Sequence, residues 1–295
     1  MKFTRTHLCF IILSFLLKGC PLSYSQEIIQ VSNSKINVVD TLPEVLKENS
    51  GMFIYDNRVY FINDSRNKAC IYCWDITLGD INREIKVKNA FNIDWEDADA
   101  DDKTVCIGDI GNNFGIRKRL KLLTFPIELL SDTLVRKVKV EKYRYKYAEK
   151  KKRQLDKNAN PYDAEALIVD RDSITVFTKD RLNYSTSIYS LNMEENRRVS
   201  ILNKSGSIKA NGLITGACLN KKTGTIALVG YNSQSPFILL RNKSNPTFLL
   251  LQLLPLKGYA LESICFWDDT ILLVSSEKGL RPAVLFKVDI SEVVE

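Results

Sequence analysis

Five short segments of this 295-residue chain can be laid over one another, and their columns gather side chains able to do chemistry. The segments are Glu48–Tyr55, Asp94–Asp101, Asp163–Asp170, Leu213–Asn220 and Ala260–Trp267. Their third column reads Ser50, Glu96, Glu165, Thr215 and Glu262. The fourth is small or acidic, with Gly51, Asp97, Ala166, Gly216 and Ser263. Carboxylate and amide oxygens that converge without imidazole or thiolate suit a hard cation, Ca2+ or Mg2+. The catalytic use of such a set is a metal that polarises a substrate while a carboxylate serves as base.

The elements that must position these residues follow from the repeat. Each segment reads as a strand, followed by a turn and a second apolar strand: Val59–Asn63, Thr104–Gly108, Ile174–Thr178, Thr225–Gly230 and Ile271–Ser276. Third strands are expected at Ala69–Trp74, Leu120–Phe125, Ser187–Leu191, Phe237–Arg241 and Ala283–Val288. Fourth strands are expected at Ile85–Val87, Val138–Tyr145, Val199–Leu202 and Phe248–Leu253. The fifth unit lacks a fourth strand, and the segment Ile28–Val39 is free to supply it and close a ring. The expected fold is all-β: a single β-propeller of four-stranded blades over residues 26–295, with five countable repeats and a degenerate sixth left open.

In a blade, the start of the first strand and the end of the second meet at one rim of the central channel. That rim collects Asp64, Asp94, Glu96, Asp109, Asn112, Asn113, Asp163, Glu165, Tyr231, Glu262 and Glu277, with Lys179 as its evident basic member. Glu96, Glu165 and Glu262 are the candidate metal ligands of the first-strand column. Glu96, Glu165 and Lys179 are the candidate catalytic groups. Trp95, Asn113, Lys179, Tyr231 and Glu277 are candidate ligand contacts. The turn Asp109-Ile-Gly-Asn-Asn113 tolerates positive φ and points side-chain oxygens inward. The competing reading is architectural: these polar groups would cap strands and bond neighbouring blades. Third-strand aromatics, Trp74, Phe125, Tyr189 and Phe286, read as inter-blade core.

The first residues read as an export signal, with Lys2 and Arg5 before an apolar core at Leu8–Leu17 that is too short to span a bilayer. Cleavage after Ser23-Tyr24-Ser25 leaves Gln26 first. The alternative is a lipobox-like Leu17-Lys18-Gly19-Cys20, with Cys20 as a lipid anchor. Either outcome places the protein in the periplasm, outside the cell or on a membrane surface, with no transmembrane span. His7 is the only histidine and leaves with the signal, which excludes Ser-His-Asp, Cys-His and histidine-metal chemistry. Loss of Lys2, Arg5 and Lys18 leaves an excess of about four positive charges, too mild to argue for nucleic acid. Five cysteines remain, Cys70, Cys73, Cys106, Cys218 and Cys265, and they read as buried free thiols.

The motifs Asp94-Trp-Glu-Asp, Asp109-Ile-Gly-Asn-Asn, Asp163-Ala-Glu-Ala-Leu and Thr178-Lys179 resemble those of an uncharacterised family of secreted bacterial propellers of the Bacteroidetes type. More distantly the chain is similar to SdiA-regulated, phytase-like esterase and gluconolactonase-type propellers, which are TolB-like and six-bladed. In the lactonase group Glu, Asn and Asp hold a divalent metal in the channel. The resemblance maps them onto Glu96 or Glu262, Asn112 and Asp109. The function expected is a non-catalytic recognition or scaffold module that binds a small ligand, a cation or an envelope protein or glycan. The alternative is a calcium-dependent hydrolase of the lactone or phosphoester type.

Overall fold

The computed structural model describes residues 24–150, 156, 159–195, 197–233, 235–245 and 247–294. Most of the expected export signal, with Cys20, lies outside the described residues. Two strands precede the first repeat, β1 (Tyr24–Gln30) and β2 (Ile36–Thr41). The first unit contains β3 (Asn49–Tyr55), β4 (Arg58–Asn63), β5 (Cys70–Asp75) and β6 (Asp80–Val87). In the second are β7 (Trp95–Ala100), β8 (Thr104–Asp109), β9 (Leu120–Pro126), β10 (Lys137–Val138) and β11 (Glu141–Tyr147). The third holds β12 (Ala164–Asp170), β13 (Ser173–Thr178), β14 (Ser185–Asn192), β15 (Ser200–Leu202) and β16 (Lys204–Lys209). β17 (Leu213–Leu219), β18 (Ile226–Tyr231), β19 (Pro236–Arg241) and β20 (Phe248–Gln252) make the fourth. The fifth is β21 (Ala260–Phe266), β22 (Ile271–Glu277) and β23 (Val284–Asp289).

These strands form five sheets, one per repeat, so the ring has five blades and not the six that the resemblance implies. The first strands β3, β7, β12, β17 and β21 each pack against the next, and β21 returns to β3. Ring closure is as expected in kind: β2, from the N-terminal segment, runs antiparallel to β23 and completes the last blade. The segment does more than that, because β1 adds in parallel to the outer edge of β20. Five apolar layers lie between neighbouring blades. Trp74, Phe125, Tyr189 and Phe286 each fill one of these layers, and all five cysteines are buried and free.

Two expected outer strands are corrected. Val138 belongs to β10, which pairs with β6 of the first blade. Ser200–Leu202 pairs with β11 of the second blade. The true fourth strand of blade three is Lys204–Lys209, bonded to β14. Its sequence, KSGSIK, offers one apolar residue, because an outermost strand packs on one face and meets water on the other.

Near the axis, neighbouring first strands are in contact but share no ladder, and their outward N–H groups need other acceptors. The alternating acids of β7 supply them. Asp97, Asp99 and Asp101 accept from the N–H groups of Leu167, Val169 and Arg171 at 2.8, 2.8 and 2.7 Å. Residues two apart on a strand share a face, so one run of sequence, DADAD, stitches blade two to blade three.

Candidate functional site at the channel mouth

All five first strands carry the same irregularity at their start. Asn49 pairs with Asn63 and Gly51 with Ile62, which leaves Ser50 outside the ladder. Glu96, Glu165, Thr215 and Glu262 are skipped in the same way. The third column of the repeat is therefore a ring of β-bulges, and a bulge re-aims the extra side chain out of the pleat. Two members are hydroxyls that donate to the neighbouring blade: Ser50 Oγ to the Trp95 carbonyl at 3.0 Å, and Thr215 Oγ1 to that of Leu261 at 2.8 Å. These two members of the column tie neighbouring blades together. A glutamate can make that bond only while it is protonated, and once ionised Glu96, Glu165 and Glu262 have no proton to donate.

Glu165 is neutralised on the spot. Lys179 Nζ lies 2.9 Å from its Oε2, and Arg181 Nη2 lies 3.5 Å from its Oε1. Burial pushes Glu165 up, but the two cations outweigh it and hold the carboxyl below its ordinary value. Arg181 also donates to Asp163 Oδ2 at 2.6 Å and to Asn113 Oδ1 at 2.9 Å. The Tyr231 ring lies 5.6 Å from Lys179 Nζ. Arg181 escaped the sequence reading, although its position two residues after Lys179 was the available signal.

Asp109 and Asn112, expected as metal ligands, are held by protein partners. Asp109 is fully buried, with Arg117 Nη2 at 2.5 Å on one oxygen and Lys121 Nζ at 2.9 Å on the other. Lys121 is its cross-strand partner, a pairing the repeat could have revealed. Asn112 Oδ1 accepts from the Arg117 N–H at 2.9 Å, and its own N–H donates to Asp163 Oδ1 at 2.7 Å. Trp95 is also corrected as a ligand contact: its ring is fully buried in the layer between blades one and two.

What remains is a set of carboxylates with a single long ion pair, between Asp94 and Arg117. Oxygens of Asp64, Asp94 and Glu96 all lie within 4.8 Å of one another, the one such group among the described residues. Glu96 is 9% exposed. The nearest guanidinium, Arg117 Nη1, stands 3.9 Å from Asp94 Oδ2. Gly111 follows the Asp109 strand end, and its N–H donates to the Asp94 carbonyl at 3.1 Å. Burial, with further repulsion from Glu165, Asp64, Asp163 and Asp94, drives Glu96 well above the usual carboxylate range. Burial likewise lifts Asp94 to about 6 against the pull of Arg117. Across the mouth, Glu262 is raised to about 8, chiefly by burial, and Glu277 is raised for the same reason. Neither Glu165 nor Glu262 joins the Asp64–Asp94–Glu96 group, so of the five predicted metal ligands the structure brings only Glu96 there.

The site thus divides into a paired half, Asp109, Asp163 and Glu165 with their cations, and an unpaired acidic half on blades one, two and five. No family model and no curated protein matches the chain. Among solved structures it is similar to regucalcin, a calcium-binding protein of Agrobacterium tumefaciens, at 11% identity over 90% of this chain and 96% of that one, with a TM-score of 0.46. It is similar to the PQQ-bound aldose sugar dehydrogenase of Streptomyces coelicolor at 10% identity over 86% and 97% of the two chains, with a TM-score of 0.47. A putative TolB of Agrobacterium tumefaciens matches at 11% identity over 77% of this chain and 69% of that one, with a TM-score of 0.42. Likenesses this remote carry neither ligand nor activity across.

Proposed function

We propose that this propeller is an exported recognition module that holds a divalent cation, Ca2+ or Mg2+, between Asp64, Asp94 and Glu96. The observation that carries the reading is the charge balance of the mouth. Lys179, Arg181 and Lys121 are each committed to a carboxylate outside the group, and Arg117 is closest to Asp109. Within the group the one ion pair among the described residues is the long contact of Arg117 Nη1 with Asp94 Oδ2 at 3.9 Å. Two oxygens bound to one Ca2+ at about 2.3–2.6 Å can stand no more than about 5 Å apart. The 4.8 Å limit on this group meets that condition.

Three carboxylates are fewer than the six to eight oxygens that Ca2+ takes, so several positions would face the channel mouth. A small ligand with carboxylate, phosphoryl or hydroxyl oxygens could complete them, which is how a cation confers recognition. The resemblance to secreted propellers supports a role at the cell envelope.

The test is a thermal melt of the chain from Gln26 in EDTA, Ca2+ and Mg2+. A cation at 100 times its Kd adds about 2.7 kcal/mol to the folded state. Asp64→Asn and Glu96→Gln are expected to abolish that gain. Asp109→Asn loses stability but keeps the cation response. A wild-type curve that ignores both cations sinks the reading.

A further inference from the structure

Among the described residues two arginines are almost fully buried, and they differ in one respect. Arg83, 5% exposed, donates to the carbonyls of Asp132 and Leu130 and to the Tyr60 hydroxyl at 2.7–3.0 Å. Arg241, 4% exposed, has Nε and Nη1 groups that meet no hydrogen-bond acceptor. Its guanidinium lies 5.9 Å from the Phe248 ring.

Arg241 ends β19, the strand that starts at Pro236 beside Tyr231 and the mouth, so its place is the far end of blade four. Phe237 and Leu239, four and two residues earlier, belong to the apolar layer between blades three and four. Arg241 continues that face of the strand and closes the bottom of the layer. An arginine cannot shed its proton there. Burial is the sole cause acting on it, pulling its pKa down, so no carboxylate offsets the charge. Buried charges in proteins are paired, and an orphaned one signals a missing counter-ion or solvent group. In the turn that follows, Asn242–Asn245, Lys243, Ser244 and Asn245 are exposed.

We infer that a small oxyanion of the phosphate or carboxylate class binds beside Arg241, at the end of blade four opposite the acidic mouth. The anion accepts from Nε and Nη1 and cancels the buried charge. This site is independent of the proposed cation, because it lies on the other end of the molecule and binds the opposite sign.

The experiment is a set of melts in EDTA at constant ionic strength, with chloride replaced stepwise by inorganic phosphate or by acetate. For the wild type a saturable rise of a few degrees is expected, and a rise in one series alone identifies the class. Arg241→Met loses that response. Without either anion it melts no lower than the wild type, since an apolar side chain replaces an unpaired charge. Calorimetric titration of phosphate and of acetate into the wild type supplies a second readout that does not need the variant to fold. A wild type indifferent to both anions, no saturable heat with either, an equal response in Arg241→Met, or anion-free melting of that variant several degrees lower would each overturn the proposal.

Discussion

Glu96 and Gly111 are fitted to each other so closely that a Cβ on residue 111 would stand 2.0 Å from Glu96 Oε1 and 2.5 Å from Asp94 Oδ2. The backbone of the turn after β8 therefore fixes how near these two carboxylates can stand. Gly111→Ala should push them apart, with a cost of about 1–3 kcal/mol from overpacking. It should also weaken the Ca2+ response more than its effect on stability would suggest. Urea unfolding and a Ca2+ titration of the same variant check both statements.

Acidity should act on this protein with an unusual sign. Asp94, Asp163 and Glu262 are raised to about 6, 7 and 8, so the folded state binds protons that the unfolded state releases near pH 4. Stability contributed by these groups is complete below the unfolded pKa values and is lost as the pH rises through the folded ones. In EDTA, the melting temperature is expected to fall between pH 5 and pH 8. Because a cation competes with the proton on Asp94, the gain from Ca2+ should be larger at pH 8 than at pH 5. Melts at the two pH values, with and without Ca2+, decide the matter.

The buried pair Lys179–Glu165, 2.9 Å apart, should be costly to halve. Lys179→Met leaves Glu165 with Arg181 alone, and a loss of about 3–5 kcal/mol is expected. Adding Glu165→Leu should recover part of it. A double-mutant cycle in denaturant measures the coupling, and additive effects would contradict it.

Asp99→Ala should strip the Val169 N–H of its acceptor and cost about 1–3 kcal/mol. Hydrogen exchange at Val169 should quicken, while Leu167 and Arg171 keep their own aspartates and their protection. Asp99→Asn retains an acceptor oxygen and should cost less.

Much of this was legible in the chain, for identifiable reasons. Second strands are buried on both faces and read as apolar runs, and the repeat of the first strands, acidic in β7, aligns Glu96, Glu165 and Glu262 in one column. That column proved to be the bulge ring, which periodicity alone cannot indicate. Outer strands are less legible because they are half solvated: Val199–Leu202 reads as the fourth strand of blade three, and the polar Lys204–Lys209 forms it. At the site, the sequence collected the acids but not the assignment of cations among them. Arg117 reaches Asp109 from a loop, and nothing in their spacing of eight residues sets that distance.

The direction of β1 has a practical meaning for anyone who handles the molecule. It runs parallel to β20, whose last residues adjoin the start of β19 at the mouth, so Tyr24 stands at the opposite end. β23 also finishes at that end, where Asp289 meets Lys35 ahead of β2. A tag, a bead or a surface joined through either end of the described chain would hold the propeller like a cup on its base. The open rim would then face the solution.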